Sequence, residues 1–320
     1  MNGKWMPIIL TVALVIGLPR LVYGVWVLTK GAETEPTETT AISEVPAITV
    51  INVLTNKQIA EMDIEEYLVG VLLGEIPGDF HIEAQMAQAV VARTYTLRTT
   101  QYKEKHPSNA ICTNSGCCQC YRDPTEYLLS GGNEERVALA REAVRRTRGQ
   151  VLIYDGLPID ATYFSCSGGK TEDALAVWGV DVPYLQSVSS PGEEQATYYW
   201  DSVHFTQEEF QRALGQKLSG TPDHWFGKTT YTNGGGVDTM RIGGRLYTGT
   251  DLRTLLGLRS TAFSVTVSNG NICITTKGFG HRVGMSQYGA QAMALTGKEY
   301  EQILSHYYPG AVIDKEAFFG

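Results

Sequence analysis

Residues 74–80 read Gly-Glu-Ile-Pro-Gly-Asp-Phe, and residues 84–95 read Ala-Gln-Met-Ala-Gln-Ala-Val-Val-Ala-Arg-Thr-Tyr. The first stretch predicts a turn, because proline and glycine interrupt helices, and the second predicts a helix. Glu75 then stands at a turn between two helices, fixed by rigid elements yet accessible, as a general acid must be. The competing interpretation is a solvated surface carboxylate, which is the usual state of a glutamate near a turn.

Two predicted helices extend outward from this turn. Apolar residues recur at helical spacing between Asp63 and Leu73, and a second helical pattern covers Ile82 to Tyr102. Arg93 falls outside the main stripe of the second helix, so the pattern leaves open whether it faces the Glu75 turn or solvent. The β-branched run from Ile48 to Leu54 predicts a strand before the first helix.

The rest of the chain mixes predicted strand pairs and helices. Asp155-Gly156 and Asn269-Gly270 predict hairpin turns, since both favour positive φ, and Pro158 predicts an edge position. Without strict βαβ alternation, the fold class is α+β, with helices and antiparallel hairpins forming a two-lobed domain around a substrate cleft. Residues 181–259 are interpreted as a second lobe or an insertion. The remaining predicted helices cover 134–148, 210–214, 250–256, 286–296 and 300–307, and the strands 151–154, 159–164, 237–242, 245–247, 263–267 and 272–276.

The composition of the 320-residue chain is that of a globular protein, with 43% hydrophobic and 19% charged residues. Its formal net charge of −8 argues against nucleic acid as a partner, because the phosphate backbone attracts basic surfaces. The charge does not bear on carbohydrate, which is bound through hydrogen bonds and aromatic stacking. The 17 tyrosines and 5 tryptophans suit a sugar-binding cleft, although most aromatic side chains belong in the core.

The first 30 residues predict an N-terminal transmembrane helix that anchors the chain. Residues 5–18 and 21–28 are almost entirely apolar, and together they span the ~20 residues that a bilayer helix needs. A cleaved signal peptide is the alternative, but no small-x-small cleavage site stands out. Residues 31–47 form a polar, acidic linker, so residues 48–320 are predicted to be a catalytic domain outside the cytoplasm.

Three segments together are typical of one family. The first joins Glu75-Ile76-Pro77 to Ala92-Arg93-Thr94-Tyr95; the second, residues 163–171, reads Tyr-Phe-Ser-Cys-Ser-Gly-Gly-Lys-Thr. The third, residues 280–290, reads Gly-His-Arg-Val-Gly-Met-Ser-Gln-Tyr-Gly-Ala and is the most specific. With these segments, the chain resembles the stage II sporulation protein D family, the membrane-anchored cell-wall lytic transglycosylases of endospore-forming bacteria. The resemblance extends from about Ile48 to Ile313.

The resemblance implies that Glu75 is the single catalytic acid/base. A lytic transglycosylase protonates the glycosidic oxygen and lets the sugar's own C6 hydroxyl attack, so it does not need the second carboxylate that a hydrolase uses. The product ends in 1,6-anhydro-N-acetylmuramic acid. Such an acid must hold its proton at the working pH, which predicts a partly apolar site. Asp79 and Glu83 are the nearest second carboxylates, although both also suit the N-terminus of the following helix.

Six further residues in these segments are candidates for substrate binding. Arg93 is interpreted either as a sugar ligand or as half of a surface ion pair, and Tyr163 and Ser165 either as cleft residues or as ordinary hairpin packing. A glycine-rich loop before a helix can bind a polar ligand through backbone N–H groups, or it can be purely structural. The candidates in and after that loop are His281, Gln287 and Tyr288.

The Cys-rich segment after His106 predicts either a zinc site or disulfides. Some members of the resembled family carry zinc on a His-x5-Cys-x5-Cys spacing, which here selects His106, Cys112 and Cys118 and leaves the fourth ligand open. Cys117 and Cys120 form a Cys-x-x-Cys pair, and disulfides are the alternative outside the cytoplasm. Because many relatives lack these ligands, the zinc is expected to shape the fold or the cleft and not to perform the chemistry.

The leading hypothesis is a lytic transglycosylase that acts during engulfment in sporulation. The resemblance implies glycan strands of peptidoglycan stripped of stem peptides by a partner amidase, with the chain in the mother-cell membrane facing the forespore among other membrane sporulation proteins. The alternative is a non-catalytic modifier that binds and stimulates a cell-wall amidase, with Glu75 as a surface group. A third hypothesis, a zinc hydrolase centred on His106, lacks a His-Glu-x-x-His pattern. A monomeric domain is the default expectation.

Overall fold

The Glu75 turn joins two helices of the larger hydrophobic core, and Ile76 and Phe80 of the turn are buried in that core. The computed structural model describes residues 50–103 and 105–315. The first helix, α1 (Ile64–Glu75), begins where the Asp63 carboxylate accepts hydrogen bonds from two N–H groups of the first turn. It ends at Glu75 because Ile76 precedes Pro77, and the residue before a proline favours extended backbone.

Helices and strands mix along the described chain, which confirms the α+β class. After α1, the helices are α2 (Ile82–Tyr102), α3 (Pro124–Leu129), α4 (Glu134–Arg146), α5 (Ala174–Trp178), α6 (Gln207–Leu214), α7 (Gly249–Leu255), α8 (Gln287–Leu295) and α9 (Tyr300–Tyr307). The strands are β1 (Val50–Thr55), β2 (Gln58–Asp63), β3 (Ile111–Cys112), β4 (Val151–Tyr154), β5 (Leu157–Pro158), β6 (Tyr163–Phe164), β7 (Trp200–Phe205), β8 (Phe226–Tyr231), β9 (Val237–Ile242), β10 (Arg245–Thr248), β11 (Phe263–Ser268), β12 (Asn271–Lys277), β13 (Met285–Ser286) and β14 (Val312–Asp314).

Helix α2 is the central element of the larger core. It packs against α1, α4, α8 and α9, and residues from Ala84 to Thr94 are buried without interruption. A helix surrounded by other helices has no solvent face, which explains why its sequence lacks a clean polar stripe. Small residues such as Ala87, Ala89 and Ala92, all fully buried, let the neighbouring helices approach closely.

The strands form small sheets with the orders β2-β1-β3, β10-β9-β8, β11-β12-β7, β13-β6 and β14-β4-β5. Most neighbours are antiparallel, but β3 runs parallel to β1 and β13 runs parallel to β6. The β6–β13 pairing sets Met285 beside Tyr163 and Ser286 beside Phe164. It therefore brings the second and third sequence segments together.

A second hydrophobic core lies among strands β7 to β12 with α6 and α7. It contains Phe210, Trp225, Met240, Leu252 and Ile274. The core thus includes residues of the segment 181–259 and also two later strands. The lobe boundaries and the two-lobed arrangement around a cleft stay predictions.

Most predicted elements are present, with ends that differ by a few residues. Thr206 forms a capping box with Glu209 at the start of α6, and Thr248 forms one with Asp251 at the start of α7. The predicted strand 159–164 is wrong as a hairpin partner of β4: the hairpin partner is β5 (Leu157–Pro158), and β6 pairs with β13 instead. Pro158 does lie in an edge strand.

No helix within residues 50–103 and 105–315 is long and apolar enough to span a membrane. The predicted anchor at residues 1–30 and the linker at residues 31–47 lie outside the described residues.

Candidate active site

The C-terminal turn of α1 presents Glu75, and Arg136 holds that turn in place. One terminal nitrogen of Arg136 donates to the backbone oxygens of Leu73 and Ile76, at 2.8 and 2.7 Å. A cation at a helix C-terminus satisfies carbonyls that have no partner within the helix. Gly78 makes room for this arginine, since a Cβ there would lie 2.3 Å from Arg136 Cδ.

The Cys-rich loop lies directly on α1 because two glycines leave space for it. A Cβ at Gly74 would lie 2.8 Å from the carbonyl carbon and oxygen of Cys120, and one at Gly70 would overlap the ring of Tyr121. This close approach lets the N–H of Cys120 donate to Glu75 Oε1 at 2.5 Å. The loop therefore holds one carboxylate oxygen and leaves the other for further contacts.

Glu75 opens onto a cavity of about 650 Å³. Of the described residues that line it, Glu75 is the only one that carries a carboxylate. The cavity also brings together four of the predicted substrate-binding residues, which come from the second and third segments: Tyr163, Ser165, His281 and Gln287. Their role in binding substrate stays a prediction.

Burial raises the pKa of the Glu75 carboxyl above its ordinary value. Hydrogen bonds from the Cys120 backbone and from the side chains of Tyr163 and Gln287 act in the opposite direction without cancelling this effect. Glu75 consequently keeps its proton to a higher pH than an exposed glutamic acid does. A general acid needs this property near neutral pH.

A buried amide, Gln119, fixes the orientation of Tyr163 beside Glu75. Gln119 Nε2 donates to the Tyr163 hydroxyl at 3.3 Å, while its Oε1 accepts from Thr96 Oγ1 at 2.8 Å. Because Gln119 donates to it, Tyr163 is free to direct its own proton to Glu75, its hydrogen-bonding neighbour. No local sequence pattern marks Gln119, a single amide between two cysteines.

The β6–β13 pairing determines where Ser165 and Gln287 lie. Ser165 follows β6, and Gln287 is the first residue of α8, directly after β13. The buried Gln287 Nε2 lies 3.5 Å from Gln88 Oε1 on α2. Gly284 is required just before β13, since its φ is +83° and a Cβ there would lie 2.0 Å from Thr162 O.

His281 lines the cavity and also supports its wall. Its Nδ1 accepts a hydrogen bond from Val283 N–H at 3.1 Å, and its ring packs edge-on against Phe164. Burial, followed by the nearby charge of Arg253, lowers the pKa of His281 to about 4. The imidazole is therefore neutral at neutral pH.

Two predicted substrate-binding residues lie away from the cavity. Arg93 is 0% exposed and binds both carboxylate oxygens of Glu65, at 3.0 and 2.6 Å. A buried bidentate ion pair between α1 and α2 cannot contact a ligand, which removes Arg93 from the substrate-binding set. Tyr288 packs edge-on against Phe80, with ring centroids 5.2 Å apart, and it does not line the cavity.

The two candidates for a second carboxylate are also elsewhere. Asp79 is exposed, and Glu83 accepts a hydrogen bond from Tyr300 N at 2.9 Å and lies 3.7 Å from Arg146. Neither lines the cavity. Within the described residues, the site thus offers one carboxyl group for proton transfer.

Four residues of the Cys-rich loop form a group that could hold a metal ion: His106, Cys112, Cys117 and Cys118, whose ligand atoms all lie within 4.8 Å of one another. Cys117 is therefore a candidate for the fourth ligand that the sequence left open. Three thiols and an imidazole match the donor set of structural zinc sites, and four protein ligands leave no open position for catalysis. All six cysteines are free thiols, so the disulfide alternative is not observed.

A buried ion pair, Glu172 with Arg282, ties distant segments together beside the site. Arg282 lies 3.1 Å from Glu172 Oε1, and it donates to the backbone oxygens of Ser167, Lys170 and Gly234 at 2.7 to 2.8 Å. Sequence reasoning missed this pair, because its partners lie more than a hundred positions apart.

Comparisons with known proteins agree with these motifs. Residues 54–154 match a family model described as a stage II sporulation protein. Stage II sporulation protein D of Bacillus amyloliquefaciens is 38% identical over 91% of this chain and 84% of its own length, and that of Bacillus subtilis (strain 168) is 37% identical over 91% and 83%. The amidase enhancer of Bacillus subtilis (strain 168) is 28% identical over 77% of this chain and 40% of its own length.

Proposed function

We propose that this chain, which belongs to the stage II sporulation protein D family, is a lytic transglycosylase that cleaves the MurNAc–GlcNAc bond of peptidoglycan. The observation that carries the proposal is that Glu75 is the single carboxylate among the described residues lining the cavity. A hydrolase would place a second carboxylate across the bond, to activate water or to form a covalent intermediate. A lytic transglycosylase does without it.

The reaction uses Glu75 first as an acid and then as a base. In the first half, its carboxyl proton passes to the glycosidic oxygen, and the bond from that oxygen to the anomeric carbon of MurNAc breaks. In the second half, the C6 hydroxyl of the same sugar attacks the anomeric carbon, and its proton returns to Glu75. A 1,6-anhydro-MurNAc end forms, water takes no part, and the carboxyl group is restored.

The residues around Glu75 support both halves of the reaction. Burial raises the pKa of the carboxyl and so favours its protonated form before the reaction, while the Cys120 N–H and the Tyr163 hydroxyl stabilise the carboxylate left after proton donation. Hydrogen bonds that strengthen as negative charge develops on Glu75 stabilise the transition state more than the ground state. They therefore lower the activation barrier, which hydrogen bonds of equal strength in the two states would not do.

By likeness to the family, the substrate is a glycan strand whose stem peptides an amidase has already removed. The chain would act outside the cytoplasm during engulfment, anchored in the mother-cell membrane facing the forespore, with membrane sporulation proteins and a cell-wall amidase as partners. The hydroxyl side chains in the described lining of the cavity, such as Tyr163 and Ser165, can hydrogen-bond to the hydroxyl groups of a glycan strand.

We propose zinc for the group of His106, Cys112, Cys117 and Cys118, with a structural role. When bound, the ion would cross-link the loop whose Cys120 N–H contacts Glu75. Its effect on the chemistry would therefore be indirect, through the position of one hydrogen-bond donor.

The decisive experiment incubates the full chain with peptide-free glycan strands and identifies the products by mass spectrometry. We expect anhydro-ended fragments, with Glu75→Gln slowing their release by about 10²- to 10⁴-fold. Asp79→Asn is the matched control, since Asp79 is exposed and outside the cavity, and it should cleave as the parent does. Fragments with reducing ends would refute the transglycosylase mechanism in favour of hydrolysis.

A second candidate function is favoured by the likeness to the amidase enhancer. In that case the chain would bind an amidase and stimulate it without cutting the strand. Strands that stay intact with the parent chain, together with amidase stimulation that Glu75→Gln leaves unchanged, would support this function over the first.

A further inference from the structure

An exposed aromatic pair forms part of the wall of the Glu75 cavity. Tyr198 is 40% exposed and Phe279 is 38% exposed, and their rings meet edge to face with centroids 5.5 Å apart. Both residues line the cavity that holds Glu75. Tyr198 precedes β7 and Phe279 follows β12, and these strands are neighbours in one sheet. Large aromatic side chains left partly exposed at a cavity mouth are typical of binding sites.

Arg259 contacts both rings and fixes the pair. Its guanidinium lies 5.1 Å from the centre of the Tyr198 ring and 5.7 Å from that of Phe279. Its charge is matched by Asp201, whose Oδ2 lies 3.3 Å from Arg259 Nε. The pair thus presents aromatic surface without a net charge, which suits an uncharged ligand.

We infer that Tyr198 and Phe279 form a stacking subsite for a sugar ring of the glycan strand, next to the sugar cleaved at Glu75. The inference rests on the proposed function, since it describes how the same strand is held. A pyranose ring presents C–H groups on its faces and polar groups at its edge. Such a ring fits an aromatic surface that continues into a cavity with Ser165 and Gln287 in its lining.

The test measures strand binding separately from cleavage. In the full chain carrying Glu75→Gln, we expect Tyr198→Ala and Phe279→Ala each to weaken the affinity for peptide-free glycan strands about tenfold, through lost stacking and buried area. Tyr198→Phe should retain affinity within about twofold, because it keeps the ring. Tyr231→Ala is the matched control: Tyr231 is 63% exposed but does not line the cavity. Circular dichroism checks that each variant is folded.

The outcomes separate this inference from the proposed function. Alanine variants that are folded and bind strands as tightly as the Glu75→Gln background would overturn the stacking subsite, even if the parent cleaves. A parent that releases no fragments, with binding still weakened by Tyr198→Ala, would refute cleavage and leave the subsite standing. Unchanged strand binding with lost stimulation of an amidase would assign the rings to a protein contact and also overturn the inference.

Discussion

Glu75 combines burial with access because it is the last residue of a helix whose end opens onto a cavity. The helix backbone and the Arg136 contacts immobilise its Cα, while the cavity leaves the carboxyl group reachable. The hydrogen-bond donors around it come from other elements and belong to Cys120, Tyr163 and Gln287. At the scale of residues, the site is therefore a balance between burial, which favours the acid, and hydrogen bonds, which favour the carboxylate.

This balance gives a pH dependence for cleavage. The competent form of Glu75 is protonated, so we expect the rate per bound strand to fall as the pH rises through the raised pKa of Glu75. The rate should be measured from acid to neutral pH at saturating strand concentration. A rate that rises over this range would instead mean that the carboxylate is the reacting form.

The raised pKa of Glu75 also makes the free energy of unfolding depend on pH. A carboxyl whose folded-state pKa is raised contributes stability below its unfolded value, about 4.3, and this contribution is lost as the pH rises through the folded pKa. The Glu75→Gln variant has no charge to bury. We therefore expect its free energy of unfolding, relative to that of the parent, to increase as the pH rises from about 4 through the folded-state pKa of Glu75, and not to change below pH about 4. Urea titrations at several pH values test this, and a difference that does not vary with pH would contradict it.

At the scale of elements, the Cys-rich loop and α1 act as one unit. The loop approaches the helix through Gly70 and Gly74, four positions apart on one face, and it delivers the donor to Glu75. Arg122 N–H also binds Gly70 O at 3.0 Å. A change in either the loop or α1 should therefore alter the hydrogen bonding of the Glu75 carboxylate.

We expect Gly74→Ala to impair cleavage although alanine normally stabilises a helix by up to about 1 kcal/mol over glycine. The new Cβ would overlap the Cys120 backbone, so the loop must move and the hydrogen bond to Glu75 must lengthen. Cleavage should fall at least tenfold, about 1.4 kcal/mol in transition-state stabilisation, and its pH profile should shift upward as Glu75 loses that bond. Gly70→Ala, which overlaps only the Tyr121 side chain, is the comparison; an equal shift in both variants would contradict the explanation.

Metal removal should act on the same unit. We expect chelation to lower the midpoint of thermal unfolding and to expose three further thiols, those of Cys112, Cys117 and Cys118, since the ion would otherwise cross-link the loop. Metal analysis of the purified chain and thiol titration measure this directly. Cys273→Ser, outside the group, is the control and should keep its metal; a midpoint unaffected by chelation would argue against a structural ion.

At the scale of the whole molecule, sequence patterns predicted the local elements and the three motifs but not the contacts between them. Tyr163, Ser165, His281 and Gln287 were recognised from motifs, and the structure brings all four to the Glu75 cavity. Arg93 belongs to the same motifs yet is buried in an ion pair with Glu65. Gln119, Arg136 and Glu172 were missed because their partners are distant in the chain, and such pairings leave no local pattern.

The contribution of one long-range contact, the Glu172–Arg282 ion pair, to the free energy of unfolding can be measured. Arg282→Met would leave a fully buried carboxylate without its cation, and we expect it to cost about 3 to 5 kcal/mol of unfolding free energy. The double variant Glu172→Gln with Arg282→Met removes both charges and should recover the part of the loss that comes from the unpaired carboxylate, while the three backbone oxygens still lack the Arg282 donors. Denaturant unfolding of the parent and variants tests this, and equal losses in the single and double variants would rule out charge burial as the cause.

The parallel pairing of β3 with β1 also has a consequence for how the chain folds. Ile111 and Cys112 pair with Val53 and Leu54, 58 positions earlier, with α1 and α2 between them. Closing such a span is slow compared with forming the local helices, because the entropy of the intervening chain is lost before any contact is gained. We expect the helical pair to form early and the thiols to come together late, so that binding of the proposed metal ion would be among the last steps of folding.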